Sequence, residues 1–392
     1  LPAVERRVLE RLAVFAGRFR LEAAEAVCAG TEVARDDVLD AVDGLAAKSL
    51  VVADTAGDVS RFWLLETLRQ YALEKLQAHG DEAAARDRHL AWSIEMVSDK
   101  AQEMGGALTL AWQRRIKRQH DNLRAALNWA LSSPEHTSQA LALALPLARH
   151  WPQVGLADMR DGHGWLLRVY QAAVEVGLER SDREAVARVM LGAGALIDHF
   201  DVERAESCFV EAQRMFHLCG AASDEADALG RLGYLALNRG DLAAAESLLE
   251  QSRALVNIDR HVDSSGYLIG IGEVARLRGD LDRAARMFQA AIDDLGGSAG
   301  SDEGLESFLP RHNLGHVELR RGNTKAAAPL FRACLVCAVR DGNRIFVALG
   351  LAGLGGVAAA EARPCRAGRL FGTADALLRT ENFVFDLTDQ QD

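Results

Sequence analysis

The sequence predicts a mostly α-helical protein, and three observations predict it. Alanine, leucine, arginine and glutamate, all strong helix formers, dominate its 392 residues. A pattern of small, alanine and bulky apolar residues returns about every 40 positions through the C-terminal half. Two short β-type runs near the N-terminus mark a local change of period. With 49% hydrophobic and 26% charged residues the chain can bury a large core, and its length corresponds to two or three domains.

Val4, Val8, Leu9, Leu12 and Phe15 recur at helical spacing and predict a helix over residues 3–15. Leu21 to Cys28 predicts a second helix. Asp36 to Lys48, with Val38, Leu39, Val42 and Leu45, predicts a third. Leu50 to Ala53 and Arg61 to Leu65 read as strands around the polar turn Asp54-Thr55-Ala56-Gly57-Asp58, and a helix follows from Glu66 to about His79. Three helices, a hairpin and a closing helix predict a winged-helix domain over 1–80. Such a domain invites a DNA-binding reading. Its third helix, however, carries Asp36, Asp37, Asp40 and Asp43 against Lys48, and carboxylates there oppose approach to phosphates. Packing within the protein is the role this composition favours.

Residues 81–180 read as a helical linker, with Gly162 and Leu166 marking a degenerate further repeat. Over 181–392 the repeat is explicit. Leu232-Gly233, Arg239-Gly240-Asp241, Ala245 and Leu249 return as Ile271-Gly272, Arg278-Gly279-Asp280, Ala284 and Phe288. They return again as Leu314-Gly315, Arg321-Gly322-Asn323, Ala327 and Phe331. Weaker copies hold Ala193, Asp201, Ala205 and Phe209 on one side and Gly355, Arg363, Ala367 and Phe371 on the other. Each copy predicts two antiparallel helices. Small residues let the helices approach, a bulky residue fills the space, and Gly-Asp or Gly-Asn ends one helix and caps the next. The spacing resembles tetratricopeptide repeats, which implies an α-α superhelix with a concave face built from the first helices.

Three further strings carry a resemblance across most of the chain. They are Leu12-Ala13-Val14-Phe15-Ala16-Gly17-Arg18-Phe19, Leu65-Glu66-Thr67-Leu68-Arg69-Gln70-Tyr71-Ala72, and His120-Asp121-Asn122-Leu123-Arg124-Ala125-Ala126-Leu127. In this order, ahead of the repeats, they resemble the large actinobacterial regulators built on STAND-class signal-transduction ATPases, many of them LuxR-family transcriptional regulators. The resemblance implies an ATPase, a winged helix, a helical linker, a repeat array and often a C-terminal helix-turn-helix. No Gly-Lys pair occurs in this sequence, so it holds no phosphate-binding P-loop, and nothing after Phe371 resembles the helix-turn-helix. A winged-helix histidine that contacts nucleotide in some relatives has no counterpart, since the first histidine is His79.

Candidate chemistry is sparse. Cys334-x-x-Cys337 has metal-ligand spacing, but Cys334 occupies a packing position of its repeat. His312 and His316, four apart on a helix, share one face. Repeat register places Tyr234, Glu273, Arg276, His312 and His316 on the concave face, a mixture suited to a peptide or small ligand. Arg114, Arg115, Lys117, Arg118 and Arg124, near Trp112, form a basic stretch that reads as a solvated face, a domain contact or a nucleic-acid contact. No catalytic constellation, cofactor motif or metal set is apparent.

The net charge of -11 opposes a nucleic-acid coat. Six cysteines in so long a chain form no disulfide framework, which favours a reducing cytoplasm. The most apolar stretch, Ala140 to Ala148, contains Pro146 and is too short to span a bilayer. The charged N-terminus lacks a signal peptide's apolar region, and its first residue, Leu1, suggests a piece of a longer protein. The expectation is a noncatalytic sensor and transmission portion of a STAND-type regulator. Its repeats would bind a protein or peptide effector and its winged helix the protein's own nucleotide-binding domain, with no membrane and no DNA partner through this chain. A stand-alone repeat adaptor and a winged-helix DNA-binding regulator are the alternatives.

Overall fold

The N-terminal residues fold in the order their periodicity predicts: α1 (Ala3–Leu12), α2 (Leu21–Cys28), α3 (Asp37–Ala47), β1 (Val52–Asp54), β2 (Arg61–Trp63) and α4 (Glu66–Ala78). The computed structural model describes residues 1–54, 60–98, 115–154, 159–256, 265–296 and 307–380, so most of the predicted turn after Asp54 lies outside it. The strands pair antiparallel with Ala53 opposite Phe62, and Phe19 joins β2 through two reciprocal backbone bonds of 2.9 Å to Phe62. Helix α1 ends three residues before its apolar pattern does. The N–H groups of Ala13, Val14 and Phe15 reach back only three residues, and this tighter turn swings Phe15 and Phe19 into a stack 4.6 Å apart. Val8, Leu12, Val27, Val42, Leu45 and Leu76 close the core around them, whereas Leu39 stands exposed.

Helices α5 (Glu82–Ser98), α6 (His120–Ala130), α7 (Thr137–Val154), α8 (Met159–Glu175), the short α9 (Leu178–Ser181) and α10 (Arg183–Ala195) follow. Helix α5 packs on α2, α6 and α7, and α10 packs on α7 and α8. All belong to the first of two compact units, Leu1–Glu211 and Ala212–Asp392. Buried Asn122 fastens α6 to the turn after α1. Its Oδ1 accepts from the Gly17 N–H at 2.9 Å, and its Nδ2 donates to the Arg18 carbonyl at 2.9 Å and to Gln119 Oε1 at 2.7 Å. A Cβ at Gly17 would lie 3.3 Å from that of Asp121, so the approach leaves little room for a side chain. Arg69 donates to the Ala13 carbonyl on the other side. The three sequence strings that carry the resemblance thus meet at one turn.

Beyond α11 (Val202–Cys219), the second unit stacks helix pairs: α12 (Ala222–Asn238) with α13 (Leu242–Val256), α14 (Ser265–Leu277) with α15 (Leu281–Gly296), α16 (Phe308–Arg320) with α17 (Thr324–Arg340), and α18 (Arg344–Ala360) with α19 (Pro364–Thr380). The predicted small-to-large contacts form in every pair. A Cβ on Gly233 would meet Leu249 at 2.8 Å, on Gly272 Phe288 at 2.6 Å, on Gly315 Phe331 at 2.7 Å and on Gly355 Phe371 at 2.9 Å. Leu249 and Phe331 also press on Gly270 and Gly353 of the following pair. In the first unit a Cβ on Gly194, one residue past the predicted Ala193, would lie 2.5 Å from the Phe209 ring, and Ala193 itself is fully buried. Helix α10 ends at Ala195, and the Ile197 N–H reaches back only three residues, to the Gly194 carbonyl.

The turns behave as their residues require. Gly240, Gly279 and Gly322 hold φ of +78°, +81° and +75°, and Asp241, Asp280 and Asn323 accept from the N–H three residues on. The arginine ahead of each of the latter two glycines ties neighbouring pairs together. Arg278 donates to the Leu242 carbonyl and pairs with Glu246; Arg321 donates to the Leu281 carbonyl and pairs with Asp282. At the last turn Ala362 takes the glycine position with φ +56°, followed by Arg363 in place of a capping Asp.

Two outcomes are expected. Ala362→Gly relieves a left-handed alanine and stabilises the protein by about 1 kcal/mol, read as a rise in the urea midpoint. His89, buried against Phe15 and Trp92, is held down to about 3 from 6.5 by desolvation and, secondarily, by Arg86. Between those values the unfolded chain binds the extra proton, so stability is lost as pH falls below 6.5 toward 3, at up to roughly 1.4 kcal/mol per pH unit. In His89→Leu that part of the acid sensitivity disappears, as urea midpoints at several pH values in this window will show.

Candidate ligand face of the repeat array

Helices α12, α14 and α16, the first helices of three successive pairs, lie side by side, and the five residues that register assigns to one face lie on them. Tyr234 is half-buried on α12. A Cβ at Gly270 would lie 3.4 Å from its ring, and its hydroxyl donates to the Gly266 carbonyl at 2.7 Å. The missing side chain at Gly270 leaves the shelf on which the ring rests. Burial, and next the nearby Glu273 carboxylate, push the Tyr234 hydroxyl's pKa well up, so it stays a neutral donor.

Glu273 and Arg276 differ from a groove lining in one respect: both are buried. The Arg276 guanidinium, 1% exposed, contacts Glu273 Oε2 through Nε at 2.9 Å and Nη2 at 2.8 Å. The spacing of three that places both on one helical face also lets them neutralise each other. An arginine there survives burial because it is paired. On α16, His312 and His316 bring their Nε2 atoms to 3.3 Å, one ring donating to the other according to tautomer. His312 stacks on Phe308 and meets Phe331 edge-on, as does His316. Desolvation lowers the His312 pKa well below its ordinary range, with His316 and then Arg276 adding to the effect.

The face is therefore a polar row in which a buried ion pair sits between the partly exposed Tyr234 hydroxyl and the two imidazoles. Tyr234, His312 and His316 are the members a ligand can reach, and Glu273–Arg276 sets the field around them. A cavity of about 890 Å³ opens elsewhere, between α15, α16 and α17, with Arg286, Asp293, Glu318 and Arg321 among its lining; none of the five row residues contributes. Sequence register could not find it because second helices supply most of its wall.

Cys334 and Cys337 lie one turn apart on α17. Cys334 Sγ contacts the Phe308 carbonyl at 3.5 Å, and burial pushes its thiol up to about 12; the Cys337 thiol is also raised, chiefly by burial. Neither favours the thiolate that metal ligation or redox chemistry needs. Among the described residues no group of three or more His, Cys, Asp and Glu side chains could hold a metal ion, and no helix is long and apolar enough to cross a membrane. Of the basic stretch, Arg124 pairs with Asp161 at 3.3 Å, while Arg115 and Arg118 line a separate cavity; Trp112 and Arg114 lie outside the described residues.

No family model matches the chain. Over 171 residues it is 39% identical to proteins of Mycobacterium tuberculosis and Mycobacterium bovis named "Putative HTH-type transcriptional regulator", a match covering 42% of this chain. The matched region spans 18% of the length of these curated relatives. An uncharacterised Mycobacterium tuberculosis protein is 40% identical over 90 residues, 23% of each chain. Among solved structures, a STAND protein with a tetratricopeptide repeat sensor from Pyrococcus horikoshii aligns with 97% of this chain and 64% of its own, at TM-score 0.45 and 11% identity. The Rap conjugation gene regulator of plasmid pLS20, in complex with the Phr* peptide, aligns with 75% of this chain and 96% of its own, at TM-score 0.47 and 9% identity.

The ion pair makes a direct prediction. Arg276→Ala strands the Glu273 carboxylate in the interior and lowers stability by about 3–5 kcal/mol, whereas the double change Glu273→Leu with Arg276→Met recovers most of the loss. Urea denaturation of the three proteins measures both effects.

Proposed function

We propose that this chain is the sensing and transmission part of a larger transcriptional regulator of the STAND type and performs no catalysis itself. The observation that carries this reading is the 39% identity over 171 residues to mycobacterial proteins named as HTH-type regulators. The convergence of the three motif strings on the Gly17 turn supports it.

In this reading the N-terminal module is a winged helix, with Phe19 and the β1–β2 hairpin as its small sheet. Asp36, Asp37, Asp40 and Asp43 are all exposed along α3 and its N-terminal edge, so the face that would enter a DNA groove repels phosphate. The module packs instead against the protein's nucleotide-binding domain. The row Tyr234, His312 and His316 receives a protein or peptide effector, and binding favours the arrangement of domains in which the winged helix is released. This is a population shift limited by the effector's differential affinity for the two states. The reading places the protein in the cytoplasm and gives this chain no cofactor of its own.

The test is a deletion in the native gene. Removing residues 181–392 changes basal output from the regulated promoters, and an unchanged output sinks the proposal. A stand-alone repeat adaptor is the second reading; it is favoured if the native reading frame encodes no P-loop upstream of Leu1.

A further inference from the structure

Five arginines from three distant parts of the first unit converge on one cavity of about 380 Å³. Arg18 and Arg20 come from the turn between α1 and α2, Arg61 from β2, and Arg115 and Arg118 from the stretch ahead of α6. The Asn122 clamp brings them together, because it fixes the backbone of Gly17 and Arg18 against α6; Gln119, which also lines the cavity, donates to the Arg18 carbonyl at 3.3 Å. Opposing charge is scarce. Glu22 is the one carboxylate in the lining among the described residues, and Arg18 pairs with Asp54 at 3.1 Å while stacking over Trp63. Arg20, Arg61, Arg115 and Arg118 have no carboxylate at ion-pair distance among the described residues.

Among the described residues, five guanidinium groups against the carboxylates of Glu22 and Asp54 leave an excess of three positive charges in one concavity. Like charges gathered this way repel, and an anion offsets that repulsion. Guanidinium forks suit the oxygens of phosphate in particular. One phosphate monoester brings about -1.5 to -2 at pH 7, short of three; two phosphate groups match. The first turn of α2 borders the same cavity through Glu22 and Ala23, and no side chain caps it, so its N–H groups add donors. Trp92 and Phe19 supply an apolar wall. The volume lies in the range of small-molecule sites and is too confined for a duplex.

We propose that this cavity is a binding site for a small ligand carrying two phosphate groups, a diphosphate or its ester. The site lies wholly in the first unit and is independent of the effector face of the repeats.

The test is isothermal titration of the whole chain with inorganic pyrophosphate and, separately, with orthophosphate, at about 0.15 M salt. Pyrophosphate is expected to bind with one site per chain and at least tenfold more tightly than orthophosphate. Arg20→Gln and Arg118→Gln, each checked for an unchanged thermal midpoint, are each expected to weaken it about tenfold. Lys117→Gln, exposed on the same stretch but outside the lining, is expected to bind as the parent does. Absence of pyrophosphate binding at about 1 mM overturns the proposal, as does equal loss in Lys117→Gln, which marks diffuse attraction. Tighter binding of a single-stranded oligonucleotide also overturns it, assigning the arginines to nucleic acid.

Discussion

The carboxamide of Asn122 is the interaction on which the first unit depends. It answers a backbone N–H at Gly17 and a carbonyl at Arg18 across more than a hundred residues of sequence, using donor and acceptor in one rigid group. A carboxylate of the same shape lacks the donor, and a leucine lacks both. Because the group is buried, leaving either partner unmet would cost the full desolvation of a peptide group. The backbone of Gly17 and Arg18, just ahead of the sheet residue Phe19, is held to α6 by this contact.

The second unit rests on a different constraint, the closest approach of two helices. Glycine in the first helix and a ring or leucine in the second bring backbones together at the expense of helix propensity, and the dense contact that results offsets it. The polar row sits beside this packing and not in place of it. His312 and His316 lean on Phe331, the same ring that seats Gly315, so the imidazoles inherit their positions from the hydrophobic wedge. The low basicity of His312 follows: a ring held in an apolar box does not take a proton readily.

Much of this was legible in the sequence because it is local. The change from period 3.6 to period 2 at Leu50 located the hairpin, and Gly-Asp and Gly-Asn located the turns, since positive φ and an N-cap each demand particular residues. Register also placed the five row residues on one face, but it could not distinguish lining from burial. A charged pair three apart looks the same in sequence whether it meets a ligand or itself. Register points to Ala193 as the small residue of its pair, and Gly194 beside it also faces Phe209, a position that the repeat spacing does not mark. The arginine cavity was invisible for a stronger reason. Its members are separated by up to a hundred residues, and only Arg115 and Arg118 stood out, as neighbours in a charged run. The mate of each distant arginine is decided by Asn122, whose role could not be read from its neighbours.

Leu249 and Phe331 each lie under two glycines, one from their own helix pair and one from the next. A pair is thus not a unit that can come loose alone, since freeing its first helix uncovers a side chain belonging to the pair before. Stability along this stretch is shared between neighbours, and local opening has to spread or not begin. Displacement of one first helix is handed to the adjoining pair as a shift of its seated side chain. At these two boundaries one side chain is the common seat of both pairs.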